Sequence, residues 1–162
     1  MTLVVLGQDA DGDPSAFARA AHVVALDLVN QRLAPSPMEP RGVLATWDDA
    51  NGKLTIYGAA KVPFFNRRIL AAQIKLPVEQ IEMIENDVGG GYGARGEFYP
   101  EDFLIPFAAR HVRRPVKWIE DRRENLMAMN HAREEEAILE VACERDGTLI
   151  AIRGDVHTDM GA

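Results

Sequence analysis

The run Asp87-Val88-Gly89-Gly90-Gly91-Tyr92-Gly93-Ala94-Arg95-Gly96 is the most informative part of this chain. Five glycines fall within the eight positions 89–96, which we call the glycine loop. Glycine has no Cβ and readily takes left-handed backbone conformations, so such a run exposes N–H groups and lets a ligand come close to them. The run predicts a loop that holds an anion or a cofactor; the alternative is a surface loop without a ligand.

The residues on either side of the glycine loop predict a strand before it and a helix after it. The preceding segment Ile81-Glu82-Met83-Ile84 has the pattern of a short strand. Pro100-Glu101-Asp102 supplies the proline and the carboxylates that favour a helix N-terminus. We expect this helix to continue to the basic residues at 110–114, with Pro106 inside it.

Farther from the loop, the sequence predicts two hairpins and several short elements. The first hairpin joins strands 43–47 and 53–57 through Asn51-Gly52, two residues expected at positive φ, and the second closes at Asp146-Gly147 with Leu139, Val141 and Cys143 on one face. The other expected elements are a helix from Asp13-Pro14, a strand within 22–33, a helix after Pro63 with an apolar stripe of Phe65, Ile69, Ala72 and Leu76, a strand at 115–119 and a helix at 121–129. Together they predict an α+β fold: mixed sheets with hairpins and two or three packed helices, with residues 1–162 forming a single domain or a fragment.

Composition excludes several classes of function. Hydrophobic residues make up 47% of the 162 residues, enough for a core, and the formal net charge of −7 argues against binding to nucleic acid or an anionic membrane. The lone Cys143 cannot form an internal disulfide or supply an iron–sulfur cluster. No run reaches the roughly 18–20 apolar residues of a membrane span. We therefore expect a cytoplasmic protein.

Residues 91–96 also fit the pattern GxGxxG, so a small NAD(P)-binding module is one alternative. Against it, the preceding strand carries Glu82 and Glu85, Arg95 falls within the turn, and the helix is expected to start only at Pro100. A second alternative is a non-enzymatic assembly domain whose glycine loop packs against partner chains.

Several strings, in order along the chain, resemble the large subunit of molybdenum hydroxylases, the family of xanthine dehydrogenases, aldehyde oxidoreductases and aerobic carbon monoxide dehydrogenases. The strings are residues 87–93, 99–101 and 114–125, with 37–42 upstream and 146–153 downstream. The resemblance covers nearly the whole chain. It implies that the chain is a fragment of a molybdopterin-binding domain.

By this resemblance, the backbones of Gly90, Gly91, Tyr92 and Gly93 bind a molybdopterin-type molybdenum cofactor, with or without an appended nucleotide. Tyr92 stands where the family usually has Phe. Ala60 stands where the family commonly has a Gln that reaches the cofactor's metal group. Gly96 has the spacing of the substrate-orienting Glu of xanthine-type members, which does not support a purine substrate.

The family's large subunit is several times longer than this chain, and its general base lies downstream. The resemblance therefore implies no catalytic residue and no metal ligand among residues 1–162, and an isolated chain that is inactive. It implies as partners the remainder of the large subunit, iron–sulfur and FAD subunits or domains, and further copies of the intact enzyme as a homo-oligomer.

Among the remaining polar residues, Glu39 lies between two prolines, and we expect it to lock a turn by pairing with Arg41. The four histidines are far apart in sequence and predict no metal pair.

Overall fold

The computed structural model describes residues 15–58 and 60–159. Its elements in chain order are α1 Ala16–Arg19, β1 His22–Asn30, β2 Gly42–Asp48, β3 Lys53–Gly58, α2 Pro63–Ile74, β4 Ile81–Glu85, α3 Pro100–Val112, β5 Val116–Ile119, α4 Arg122–Ala128, β6 Glu135–Cys143 and β7 Leu149–Thr158. The predicted α+β fold is confirmed. The helix start expected at Asp13-Pro14 lies outside the described residues.

The chain forms two compact units. Residues 15–33 and 131–159 belong to the first unit, and residues 34–130 belong to the second. The second unit contains a four-stranded sheet in the order β4-β3-β2-β5, and the first contains a three-stranded sheet in the order β1-β6-β7. The glycine loop lies in the second unit.

The β2–β3 hairpin of the second unit has the predicted position. Its strands pair antiparallel, with Ala45 opposite Ile56. Gly52 has φ +63°, but Asn51 is not among the residues with positive φ, so the expectation of two such residues was wrong. Instead, the Asp48 carboxylate accepts hydrogen bonds from the Ala50 N–H at 2.9 Å and the Asn51 side-chain amide at 2.6 Å, which stabilises the turn.

Helix α2 buries a different face from the one predicted. Its buried residues are Asn66, Leu70, Ala71 and Ile74, whereas Phe65 is 57% exposed. The predicted and observed stripes both follow the i, i+3, i+4 spacing of one helix face, so periodicity alone could not separate them. The observed stripe includes the polar residue Asn66 and the small residue Ala71, which a search for large apolar side chains passes over.

The core of the second unit includes residues from its sheet and from both long helices. Leu54 from β3, Leu70 from α2 and Ala109 from α3 each have 0% exposure. Helix α3 starts at Pro100 and contains Pro106, as expected. Strand β4 pairs parallel with β3, so the strand that leads into the glycine loop is anchored to the core.

The three-stranded sheet of the first unit has one apolar face. Pairing places Leu26 opposite Leu139, and Leu139 opposite Gly154, so alternate residues of the three strands share this face. The apolar residues on it are Val24, Leu26, Leu28, Ala137, Leu139, Val141, Ile152 and Val156. Several remain open to solvent, with Leu26 45% and Ile152 59% exposed. In the described part of the chain, no helix is long and apolar enough to cross a membrane.

Candidate functional site

The glycine loop connects β4 to α3 through a backbone with repeated left-handed residues. Gly90 has φ +104° and Gly93 has φ +94°, and between them Tyr92 has φ +50°. A single 3₁₀ turn, Ala94–Gly96, follows. Side chains other than glycine rarely adopt such φ values, so this path requires glycine at positions 90 and 93.

The middle of the loop uses its carbonyl oxygens internally and leaves the N–H groups of residues 90–93 unbonded within the described part of the chain. Within the described residues, the N–H groups of residues 90–93 donate no hydrogen bond. By contrast, the Gly90 carbonyl accepts from the Arg95 side chain at 2.7 Å, and the Gly91 carbonyl accepts from the Ala94 N–H at 3.0 Å. Consecutive unbonded N–H groups form a concave donor surface that suits an anionic or oxygen-rich ligand.

Glu39 holds the start of the loop. Its carboxylate accepts from the Gly89 N–H at 2.7 Å, and its own N–H donates to the Gly89 carbonyl at 3.1 Å. The charged partner of Glu39 is Arg95, at 3.0 Å, so the predicted pairing of Glu39 with Arg41 was wrong. Both arginines are buried, and no local sequence pattern indicates which of them pairs with Glu39.

Arg41 instead pairs with Glu120, which is 2% exposed. The Arg41 Nε lies 3.0 Å from a Glu120 carboxylate oxygen, and the Asn125 side chain donates to the other oxygen at 2.6 Å. Burial alone would raise the pKa of Glu120, but hydrogen bonds from Arg41 and Asn125 outweigh it and lower this pKa below its usual value. The guanidinium also lies 3.9 Å from the centre of the Tyr99 ring.

Tyr99 connects this ion pair to the end of the glycine loop. Its hydroxyl donates to the Ala94 carbonyl at 2.7 Å and accepts from the Asn130 N–H at 3.2 Å. Its backbone N–H donates to the Asp102 carboxylate at 2.9 Å in the first turn of α3. Burial raises the pKa of Asp102, although this hydrogen bond acts in the opposite direction.

The segment after β3 contacts the loop through Lys61. The Lys61 N–H donates to the Arg95 carbonyl at 2.9 Å, and its Cδ would lie 3.5 Å from a Cβ built on Gly96. The neighbouring residue Ala60, singled out by sequence, donates its N–H to Glu85 at 2.7 Å. Sequence reasoning missed Lys61 because an exposed lysine carries no pattern of its own.

The GxGxxG alternative lacks the required geometry. In a dinucleotide fingerprint, the glycines open directly into a helix whose N-terminus faces the pyrophosphate. Here a 3₁₀ turn ends at Gly96, and α3 begins only at Pro100. Within residues 15–58 and 60–159, no group of three or more His, Cys, Asp or Glu side chains is arranged to hold a metal ion.

Comparison with known proteins gives a consistent family. Residues 4–162 match the model of the molybdopterin cofactor-binding domain. The chain is 35% identical to the nicotine 6-hydroxylase large subunit of Paenarthrobacter nicotinovorans over 159 residues, which cover 98% of this chain and 20% of that protein. It is also 35% identical to the carbon monoxide dehydrogenase large chain of Afipia carboxidovorans, over 95% of this chain and 19% of the relative.

A solved structure supports the same conclusion. The crystal structure of quinoline 2-oxidoreductase from Pseudomonas putida 86 matches with a TM-score of 0.79 and 33% identity, covering 87% of this chain and 18% of that one. The chain thus spans about a fifth of the length of these relatives. The resemblance seen in the sequence is confirmed.

Proposed function

Because this chain belongs to the family of molybdopterin cofactor-binding domains, we propose that its glycine loop binds a molybdopterin-type molybdenum cofactor through the N–H groups of Gly90, Gly91, Tyr92 and Gly93. The observation that carries the proposal is the set of four consecutive N–H groups that donate no hydrogen bond within the described residues. Such a cofactor presents oxygen and phosphate acceptors, which match these donors.

The surroundings of the loop leave room for a ligand beside its glycines. A Cβ on Gly93 would meet no described atom within 4 Å, and one on Gly91 would meet only the Arg95 Cδ, at 4.0 Å. The space in front of these two glycines is therefore open to a ligand. When bound, the cofactor supplies two-electron redox chemistry; the loop's own part is to bind and orient it through backbone donors.

The chain is also proposed to be part of the large subunit of a multi-subunit oxidoreductase. Its match to about a fifth of the nicotine 6-hydroxylase large subunit and of the carbon monoxide dehydrogenase large chain supports this assignment. On this proposal the general base lies elsewhere in the subunit, and residues 1–162 bind the cofactor without turning over a substrate. The expected partners are the rest of the large subunit, iron–sulfur and FAD subunits or domains, and further copies in a homo-oligomer, all in the cytoplasm. Both forms of the cofactor, with and without an appended nucleotide, fall within this proposal.

The variant Gly91→Ala tests the cofactor proposal. Its methyl group would enter the open space in front of the loop without contacting protein atoms closer than 4.0 Å. In a longer polypeptide that carries this chain, made in a host that synthesises the cofactor, we expect pterin content to fall at least fivefold with an unchanged melting temperature. Pterin content is measured from the fluorescence of the oxidised pterin.

Gly42→Ala, in β2, is the matched control, because its methyl group would make only ordinary contacts, at 3.5 Å and beyond, with Trp118 and Ile119 of β5. We expect this variant to retain the wild-type pterin content. Equal pterin content in the Gly91→Ala and Gly42→Ala proteins would show that the loop does not hold the cofactor. A titration with NAD(P) distinguishes the nucleotide-binding alternative, since our proposal expects no saturable binding.

The apolar face of the first unit supports a second role, in assembly. Five of its residues, Val24, Leu26, Leu28, Ile152 and Val156, are 41–59% exposed. Contiguous apolar surface of this kind is typical of an interface. We propose that the rest of the large subunit covers it. The isolated chain should then self-associate as its concentration rises, and a strictly monomeric chain in analytical ultracentrifugation at high concentration would count against this role.

A further inference from the structure

We propose that Glu39 and Arg95 are positioning residues that fix the direction of the N–H groups in the glycine loop. Neither side chain needs to touch the ligand. Both act through the peptide planes of residues 89–91. This inference rests on the cofactor-binding role proposed above, and it concerns how the loop is held in the shape that binds.

The argument starts from peptide geometry. In a trans peptide, the carbonyl of one residue and the N–H of the next point in opposite directions within one plane. The described part of the chain contains no cis peptide bond. Fixing a carbonyl towards the protein therefore turns the following N–H away from it.

Three consecutive planes of the loop are fixed in this way. The Gly89 carbonyl accepts from the Glu39 N–H at 3.1 Å, which orients the N–H of Gly90. The Gly90 carbonyl accepts from Arg95 at 2.7 Å, which orients the N–H of Gly91. The Gly91 carbonyl accepts from the Ala94 N–H at 3.0 Å, which orients the next N–H along the chain. Only the middle plane depends on a side chain.

That middle plane joins two glycines, Gly90 and Gly91, and has no side chain of its own to hinder its rotation. The Arg95 guanidinium that holds it is buried, with its side chain 5% exposed. The guanidinium is held in turn by Glu39, whose backbone carbonyl lies at 2.7 Å and whose carboxylate lies at 3.0 Å. Loss of the Arg95 side chain should therefore release the peptide between Gly90 and Gly91. Loss of the Glu39 carboxylate should loosen this peptide, because the buried guanidinium would then lack its charged partner and keep only backbone acceptors.

The test measures the order of the Gly91 N–H in the full 162-residue chain by ¹⁵N relaxation. In the wild type, we expect a rigid order parameter of about 0.85, and in Arg95→Met a value below about 0.6. Glu39→Ala should lower the order parameter as well, while Glu39→Gln, which keeps an oxygen acceptor, should restore most of it. A merely stabilising residue would not give this difference between alanine and glutamine.

Glu82→Ala is the control, since Glu82 is 47% exposed and pairs with Lys53 at 2.7 Å, much as Glu39 is 46% exposed and pairs with Arg95. We expect no change at Gly91 in this variant. If Arg95→Met does not fold, the comparison between the two Glu39 variants decides the question. A rigid Gly91 N–H in Glu39→Ala and in a folded Arg95→Met would overturn the proposal.

The outcome is separate from that of the cofactor proposal. In the longer polypeptide, Glu39→Ala should reduce pterin content at least fivefold, and Glu82→Ala should not. If the wild-type polypeptide holds no pterin, the proposed function fails while the relaxation data still report whether Arg95 and Glu39 fix the loop. If the wild type holds pterin and Gly91 stays rigid in the variants, only the positioning role fails.

Discussion

The substitution Glu120→Gln should strongly destabilise the second unit. Glu120 is 2% exposed and receives hydrogen bonds from the Arg41 side chain, the Arg41 N–H at 3.1 Å and the Asn125 amide at 2.6 Å. Glutamine cannot neutralise the buried guanidinium, which would keep only Glu101, at 3.3 Å. Breaking a buried ion pair by removing one charge costs about 3–5 kcal/mol. For a unit of this size, the melting temperature should fall by about 12 °C or more.

The assay is urea or thermal unfolding followed by circular dichroism, with Glu82→Gln as the control. Glu82 pairs with Lys53 on the surface, where an ion pair contributes only about 0–1 kcal/mol. We therefore expect the two variants to differ by at least about 2 kcal/mol in the free energy of unfolding. Similar losses in both would refute the idea that the Arg41–Glu120 pair organises this unit.

The same pair predicts how stability depends on acid. The pKa of Glu120 in the folded chain is lowered. Its contribution to the free energy of unfolding is therefore complete above the unfolded pKa of about 4.3, and it is lost as pH falls through the folded pKa. Below about pH 4, the wild type should therefore lose stability more steeply than Glu120→Gln. Parallel pH profiles of the two proteins would contradict this assignment.

Three further substitutions give sharp outcomes. Gly89→Ala should lower the free energy of unfolding in urea by about 1–3 kcal/mol, because its Cβ would lie 2.5 Å from the Cβ of Glu39. A variant as stable as the wild type would show that the backbone shifts to relieve this clash without cost. Burial raises the pKa of Asp102, so the free energy of unfolding of the wild type should gain a contribution as pH falls through this pKa. The variant Asp102→Asn, which keeps an acceptor for the helix cap, should lack that gain. Identical pH profiles of the two proteins would exclude this contribution from Asp102. Gly154→Ala should disrupt the sheet of the first unit, because its Cβ would clash with the Ile138 carbonyl; an unchanged circular dichroism spectrum and melting curve would contradict this.

Much of the fold could be predicted because the local signals agree with one another. Gly52 and Gly147 both have the positive φ that their turns require, and Pro100 marks the start of α3. These features depend on a few residues close in sequence, and a single sequence is enough to identify them. The buried face of α2 could not be identified in the same way. Whether Phe65 or Asn66 is buried depends on how the helix packs against the rest of the unit, which is a tertiary contact and not a local pattern.

The candidate site was predictable only in part, for a related reason. The glycines at 90, 91 and 93 are enough to predict a loop from composition alone. The partner of Glu39 lies 56 residues away, and the nearer arginine in sequence, Arg41, is taken by a carboxylate 79 residues away. Such pairings are decided by tertiary packing, and no local pattern separates two buried arginines that serve different carboxylates.

The division of work within the glycine loop explains how an acidic chain can bind an anionic group. A formal net charge of −7 offers no general attraction for a cofactor that carries phosphate. Backbone N–H groups supply donors without adding charge. The Arg95 side chain donates to the Gly90 carbonyl, not to the ligand, and its charge is neutralised by Glu39. Binding then depends on geometry more than on charge. The loop has glycine at the large positive φ of positions 90 and 93, whereas Tyr92, at φ +50°, is accommodated as a residue that is 74% exposed.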